Sequence, residues 1–147
     1  MDARLFARDN SPSMDLSFAA IVQKPSRRLR VAVVDDSPEA VRGMVAFLQE
    51  WPGLEVTFVR QTEGLPDVDP DMDIVLLDEN MGDVSGTEVY AALRGAGSKA
   101  TIASTTTGHA PAFTRHHFGR KAVVPRDPGA TRALVDFMNL LILEHGA

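Results

Sequence analysis

Leu29-Arg30-Val31-Ala32-Val33-Val34-Asp35-Asp36-Ser37-Pro38 is the stretch on which the reading of the fold turns. Its first six residues form a short, Val-rich run of the kind found in strands buried on both faces. The run stops at two adjacent carboxylates. Ser37 then offers an N-cap and Pro38 a first-turn proline, and Val41, Met44, Val45 and Leu48 follow at helical spacing. A buried strand that passes through an acidic rim into a helix is the opening unit of a parallel sheet.

Downstream the alternation continues. Pro52-Gly53 turns the chain into a second strand, Leu54–Val59, and Ile74–Leu77 forms a third that leads into Asp78. A helix is expected from near Ser85 to Leu93, a fourth strand over Ala100–Ser104 and a short fifth over Ala122–Val124. The C-terminal helix is expected from about Gly129 or Ala130, with Leu134, Phe137, Met138 and Leu141 as its buried stripe. Between Arg60 and Asp73 a second helix should stand, but Pro66 and Pro70 interrupt it, so it is expected to be short or irregular. This order predicts an α/β fold with a parallel sheet covered on both faces. Residues 29–147 are assigned to that domain. Residues 1–28, which hold Asn10-Ser11-Pro12-Ser13 and Lys24-Pro25-Ser26-Arg27-Arg28, are read as a flexible N-terminal extension. The competing reading makes Leu16, Phe18, Ala19, Ile21 and Val22 a short amphipathic segment that docks on a partner or on the domain itself.

Composition narrows the class. A chain of 147 residues is the size of one domain. The absence of cysteine excludes disulfides and thiolate metal sites and fits a reducing cytoplasm. A formal net charge of −5 argues against sequence-independent nucleic-acid binding, which needs a basic face. No apolar run approaches the roughly 20 residues that span a bilayer, and Met1-Asp2-Ala3-Arg4 does not open a secretory signal. The expectation is an acidic cytoplasmic domain with no nucleic-acid partner and no membrane insertion.

Parallel sheets of this kind hold their sites outside the carboxyl ends of the strands, where strand order reverses. Asp35 and Asp36 end the first strand and Asp78 ends the third, so neighbouring strands bring three carboxylates to one rim. Like charges that close call for a counter-cation, and Mg²⁺ suits one or two carboxylates, waters and a phosphate oxygen. A metal-neutralised aspartate is a nucleophile toward phosphorus. Any one of these acids alone reads as a solvated turn residue; three at two strand ends weigh against that.

Two segments carry a resemblance. Val31-Ala32-Val33-Val34-Asp35-Asp36-Ser37 resembles the acidic opening of response-regulator receiver domains. Asp73-Ile74-Val75-Leu76-Leu77-Asp78-Glu79-Asn80-Met81-Gly82-Asp83-Val84-Ser85-Gly86 is similar to that family's phosphorylation segment, with Met81 and Gly86 at the family's spacing from the aspartate. The resemblance covers roughly residues 29–145. It implies a five-stranded parallel sheet in the order 2-1-3-4-5, a CheY-like, flavodoxin-like three-layer sandwich. It also implies that Asp78 is the phosphoacceptor and that Mg²⁺ is held by Asp35, Asp36, Asp78 and the backbone carbonyl of Asn80. On the same grounds Thr105, after the fourth strand, is the hydroxyl that hydrogen-bonds the phosphoryl group. The partners implied are a histidine kinase or phosphotransfer protein as donor and a downstream protein target.

The chain departs from the family pattern in places. Gly82 stands at the usual proline, and Thr106 where a very small residue is usual. The family's Lys-Pro after the fifth strand aligns with Arg126 and Asp127, so Arg126 is expected to supply the cation, with Lys121 as the outside alternative. The usual switch aromatic aligns with Val123, and no Tyr or Phe replaces it in that strand. His109, His116 and His117 are read as solvated or capping rather than metal-binding, Trp51 as the closure of the first helix, and Arg115, Arg120 and Lys121 as a solvated face.

Three functions compete. The first is a phosphoacceptor receiver of a two-component phosphorelay, not an enzyme beyond its own phosphorylation and dephosphorylation. With no output domain after Ala147, it is expected to act through protein contacts. The second is a pseudo-receiver, an interaction module independent of phosphorylation. The third, a phosphatase of the haloacid dehalogenase type, wants a second aspartate as general acid where this chain has Asn80.

Overall fold

A computed structural model describes residues 21–146 of the chain. The Val-rich run forms β1 (Leu29–Asp35), and Ser37 caps α1 (Pro38–Gln49) by accepting the Ala40 amide. β2 (Leu54–Arg60) and β3 (Ile74–Leu77) follow. A two-residue-per-strand hairpin, β4 (Asn80–Met81) and β5 (Val84–Ser85), leads into α2 (Gly86–Gly95). β6 (Thr101–Ser104) completes the strands, and a single 3₁₀ turn, Lys121–Val123, precedes α3 (Pro128–Glu144).

Among the described residues the main sheet has four parallel strands in the order β2-β1-β3-β6. Successive side chains of a strand point to opposite faces, and the apolar residues divide accordingly. Val31, Val33, Ile74 and Leu76 cluster with Val41, Met44 and Leu48 of α1 and Leu134, Met138 and Leu141 of α3. Ala32, Val34, Val75 and Leu77 cluster with Val89 and Leu93 of α2. The expected α/β class and the order of the first four sheet strands match these observations.

Two expected elements are replaced. Ala122–Val124 is not a fifth strand, because that stretch lies in and just after the 3₁₀ turn. The sheet edge beyond β6 is met instead by residues 116–118, through one parallel bridge between Ser104 and His117. Toward the N-terminus of that segment the pairing does not continue; there the Thr114 hydroxyl donates to the Ile102 carbonyl at 2.9 Å. Residues 61–73 contain no helix. Gln61 and Asp83 fasten this loop instead: Gln61 Nε2 donates to Asp83 Oδ1 (2.8 Å) and to the Gly64 carbonyl (3.0 Å), and the Gly64 amide donates to Asp83.

Of the extension read at 1–28, residues 1–20 lie outside the described residues, among them Leu16, Phe18 and Ala19. Residues 21–28 are held against the domain. Asn139 of α3 donates to the Ile21 carbonyl and accepts the Gln23 amide, and the buried Trp51 donates from Nε1 to the Gln23 carbonyl at 2.8 Å. None of the described helices is long and apolar enough to cross a membrane.

Candidate functional site

Strand register sets the site. Val34 pairs with Leu77, and Leu77 with Ser104, so the next residues, Asp35, Asp78 and Thr105, stand in a row at the carboxyl rim. The ladder continues one step past the strands: the Asp78 amide donates to the Val34 carbonyl and the Thr105 amide to the Leu77 carbonyl, each at 3.1 Å. Three neighbouring strand ends thus deliver two carboxylates and a hydroxyl to one place. All three residues are buried.

Asp36 extends the group. Carboxylate oxygens of Asp35, Asp36 and Asp78 lie within 4.8 Å of one another. Asp35 Oδ1 accepts the Ser37 amide at 2.9 Å, which fixes its plane. Its Oδ2 accepts from the ammonium of Lys121, and the same Nζ lies 3.2 Å from Asp78 Oδ1. One buried cation therefore bridges two of three carboxylates, and the rim keeps an excess of negative charge with an all-oxygen donor set. That donor set fits a hard divalent ion such as Mg²⁺. Beside it, Thr105 Oγ1 is buried without a hydrogen-bond partner. An unpaired buried hydroxyl costs about 1–3 kcal/mol, which an acceptor at the rim would offset.

The segment after Asp78 is shaped to hold that aspartate still. Gly82 has φ +68°, a value closed to proline, so the tight turn between β4 and β5 cannot take the proline that the resemblance leads one to expect there. At Gly86 a Cβ would come within 2.4 Å of the Asp78 carbonyl oxygen, so only glycine allows α2 to start there. Glu79 takes the Thr87 amide and hydroxyl, while Ser85 and Glu88 form a reciprocal capping box. Glu79, the residue after Asp78, is thereby tied to the first turn of α2, and the Gly86 amide donates to its carbonyl at 2.9 Å.

Of the residues picked out from the sequence, Asp35, Asp36, Asp78 and Thr105 meet at this rim, while Asn80 is exposed in β4 just beyond it. Arg126 does not reach the site. Its guanidinium is exposed and donates to the Ala122 carbonyl at 2.8 Å. Lys121 takes the place, because the edge segment that bridges β6 ends at Phe118 and the site-facing position comes earlier than a strand at 122–124 would put it. The same shift supplies an aromatic. Phe118, not Val123, lies in the bridging segment, and it is buried against Phe137 with ring centroids 5.7 Å apart. Asp127 is the N-cap of α3, accepting from the Gly129 and Ala130 amides.

No protein-family model matches the chain, and no curated protein matches it. Solved structures do. A fusion that carries the trimeric coiled coil of yeast Spc42 is similar over 81% of this chain and 81% of its own, with TM-score 0.53 and 13% identity. The BeF3-activated DrrB receiver domain aligns over 76% of this chain and 98% of its own, with TM-score 0.45 and 15% identity. The response regulator DrrB, a Thermotoga maritima OmpR/PhoB homologue, aligns over 55% of this chain and 37% of its own, with TM-score 0.38 and 17% identity. At such identities the likeness concerns the fold alone.

Proposed function

We propose that this chain is a phosphoacceptor receiver domain whose Asp78 takes a phosphoryl group from a histidine kinase or phosphotransfer protein. The observation that carries the reading is the convergence of the Asp35, Asp36 and Asp78 carboxylates, the first and last of them paired with the Lys121 ammonium, with the unpartnered Thr105 hydroxyl on the adjacent strand. A carboxylate oxygen of Asp78 attacks phosphorus, the P–N bond of the phosphohistidine donor breaks, and an acyl phosphate forms while the donor imidazole keeps the electron pair and is protonated. Lys121, now beside a dianionic group, pairs with a phosphoryl oxygen, and Thr105 donates its hydroxyl hydrogen to another. Asp35, Asp36, Asp78 and the Asn80 carbonyl would hold Mg²⁺, which when bound neutralises charge between carboxylate and phosphoryl oxygens. The chain acts on no substrate other than its own aspartate, and the added charge alters the rim that a downstream protein reads.

A second reading has a specific observation behind it. Among the described residues no helix stands between β6 and the 3₁₀ turn, so the segment that would report phosphorylation is a loop. A pseudo-receiver that binds its partner whatever the state of Asp78 is consistent with that. Incubation with acetyl phosphate and Mg²⁺ separates the two. The phosphoacceptor reading expects an acid-stable, hydroxylamine-labile label on wild type and none on Asp78→Asn. Wild type without label, or a label that survives the substitution, would sink it.

A further inference from the structure

The loop after β6 carries Thr105 to the rim, and its closure depends on a side chain that the proposed chemistry does not use. Two backbone bonds hold residues 116–118 to the sheet, with the Ser104 amide on the His116 carbonyl and the Phe118 amide on the Ser104 carbonyl, each at 2.8 Å. The His117 ring adds two contacts. Its Nδ1 lies 3.0 Å from Ser104 Oγ and its Nε2 3.1 Å from the Gly108 carbonyl oxygen. A carbonyl only accepts, so Nε2 carries the hydrogen toward Gly108, and in the neutral ring Nδ1 then accepts from the Ser104 hydroxyl. Ser104 Oγ in turn accepts the Thr106 amide at 3.3 Å. One imidazole therefore clasps both ends of the loop 104–108. Inside the clasp are the buried Thr106 and the buried, unpartnered hydroxyl of Thr105.

We infer that His117 is a positioning residue for the phosphoryl site, holding the 104–108 loop closed so that the Thr105 hydroxyl is fixed beside Asp78 before a phosphoryl group arrives. The inference rests on the phosphoacceptor reading and adds to it the group that preorganises its hydrogen-bond donor. Donors fixed in advance lower the cost of meeting developing charge. Ser104 is wholly buried, so removing the ring leaves its hydroxyl hydrogen without the Nδ1 acceptor unless the loop opens, while its oxygen keeps the Thr106 amide. The backbone bridge survives such a change, and the carboxylates, carried by β1 and β3, are not attached to the loop. Cation affinity and phosphoryl affinity should therefore separate.

Isothermal titration of Mg²⁺, and then of beryllofluoride in the presence of Mg²⁺, tests this on wild type, His117→Ala, His117→Asn, Ser104→Ala and the double variant His117→Ala/Ser104→Ala. Mg²⁺ affinity should stay within about twofold throughout, while beryllofluoride binds about five- to tenfold more weakly to His117→Ala. His117→Asn, whose amide oxygen replaces Nδ1 toward Ser104, should regain most of that loss. The double variant should be no worse than His117→Ala, as expected of two groups acting as one. Unchanged beryllofluoride affinity in His117→Ala, or a parallel loss of Mg²⁺ affinity, overturns the positioning role. Wild type that binds no beryllofluoride overturns the phosphoacceptor reading beneath it.

Discussion

At Lys121 a single ammonium, with its side chain 6% exposed, stands between Asp35 and Asp78. Removing one member of a buried, paired set costs about 3–5 kcal/mol, because the groups left behind remain desolvated and alike in charge. Lys121→Met should lose about that much stability in urea unfolding without divalent cation and regain part of it when Mg²⁺ is added. Arg126→Ala, which loses one exposed contact, should stay within about 0.5 kcal/mol of wild type. Equal effects of the two substitutions would remove Lys121 from the site. The acidic residues were legible in the sequence because Asp35 and Asp78 directly follow runs of apolar strand residues and Asp36 comes next to Asp35, which fixes where they emerge. The cation was not legible in the same way. Its position depends on where an edge segment leaves the sheet, and the only local clue was that Gly119 and Pro125 bracket Lys121 in a stretch unable to keep strand pairing.

Elements with strong local signals form as read: β1 to β3, the helix that starts at Ser85 and the C-terminal helix. The last of these shows why an apparent departure from a family pattern can be a structural device. Asp127 accepts two amide hydrogens at the start of α3 and pairs with Arg120 at 2.7 Å. The Ala130 amide bond, then the Arg120 charge and the Gly129 amide, outweigh desolvation and hold the Asp127 carboxyl below its ordinary value. Asp127→Ala should therefore lower the urea unfolding midpoint at neutral pH, whereas Asp127→Asn should retain most of the cap. Alanine as stable as wild type would mean that the capping bonds contribute nothing. The loops were less legible. Residues 61–73 are held by Asp83, and residues 105–120 by their own Thr114 and His117 reaching back to Ile102 and Ser104, and no periodicity announces such contacts.

Across the whole molecule the two ends of the sheet carry opposite designs. The carboxyl rim gathers excess negative charge, while at the amino end one carboxylate is saturated with donors. Asp73 accepts from Arg27 at 2.9 Å and from the Arg30 amide at 2.8 Å, and His145, past the end of α3, lies 3.2 Å away with its other ring nitrogen on Thr101. This joins the segment before β1, the start of β3, the start of β6 and the chain's last helix. Burial acts to raise the Asp73 carboxyl, but the Arg27 bond, the Arg30 amide, the Arg27 charge and His145 together hold it below its ordinary value. A carboxyl lowered in the fold stabilises fully above its unfolded value, about 3.9, and that stability is lost as the pH falls through the folded value. Asp73→Asn should thus be about 1–2 kcal/mol less stable at pH 7, with the same gap at pH 5 and a shrinking one as the pH drops below about 4. Urea midpoints of both proteins across that range decide it. A gap that stays constant to pH 3 would mean that the ionised carboxylate is not what ties these four segments together.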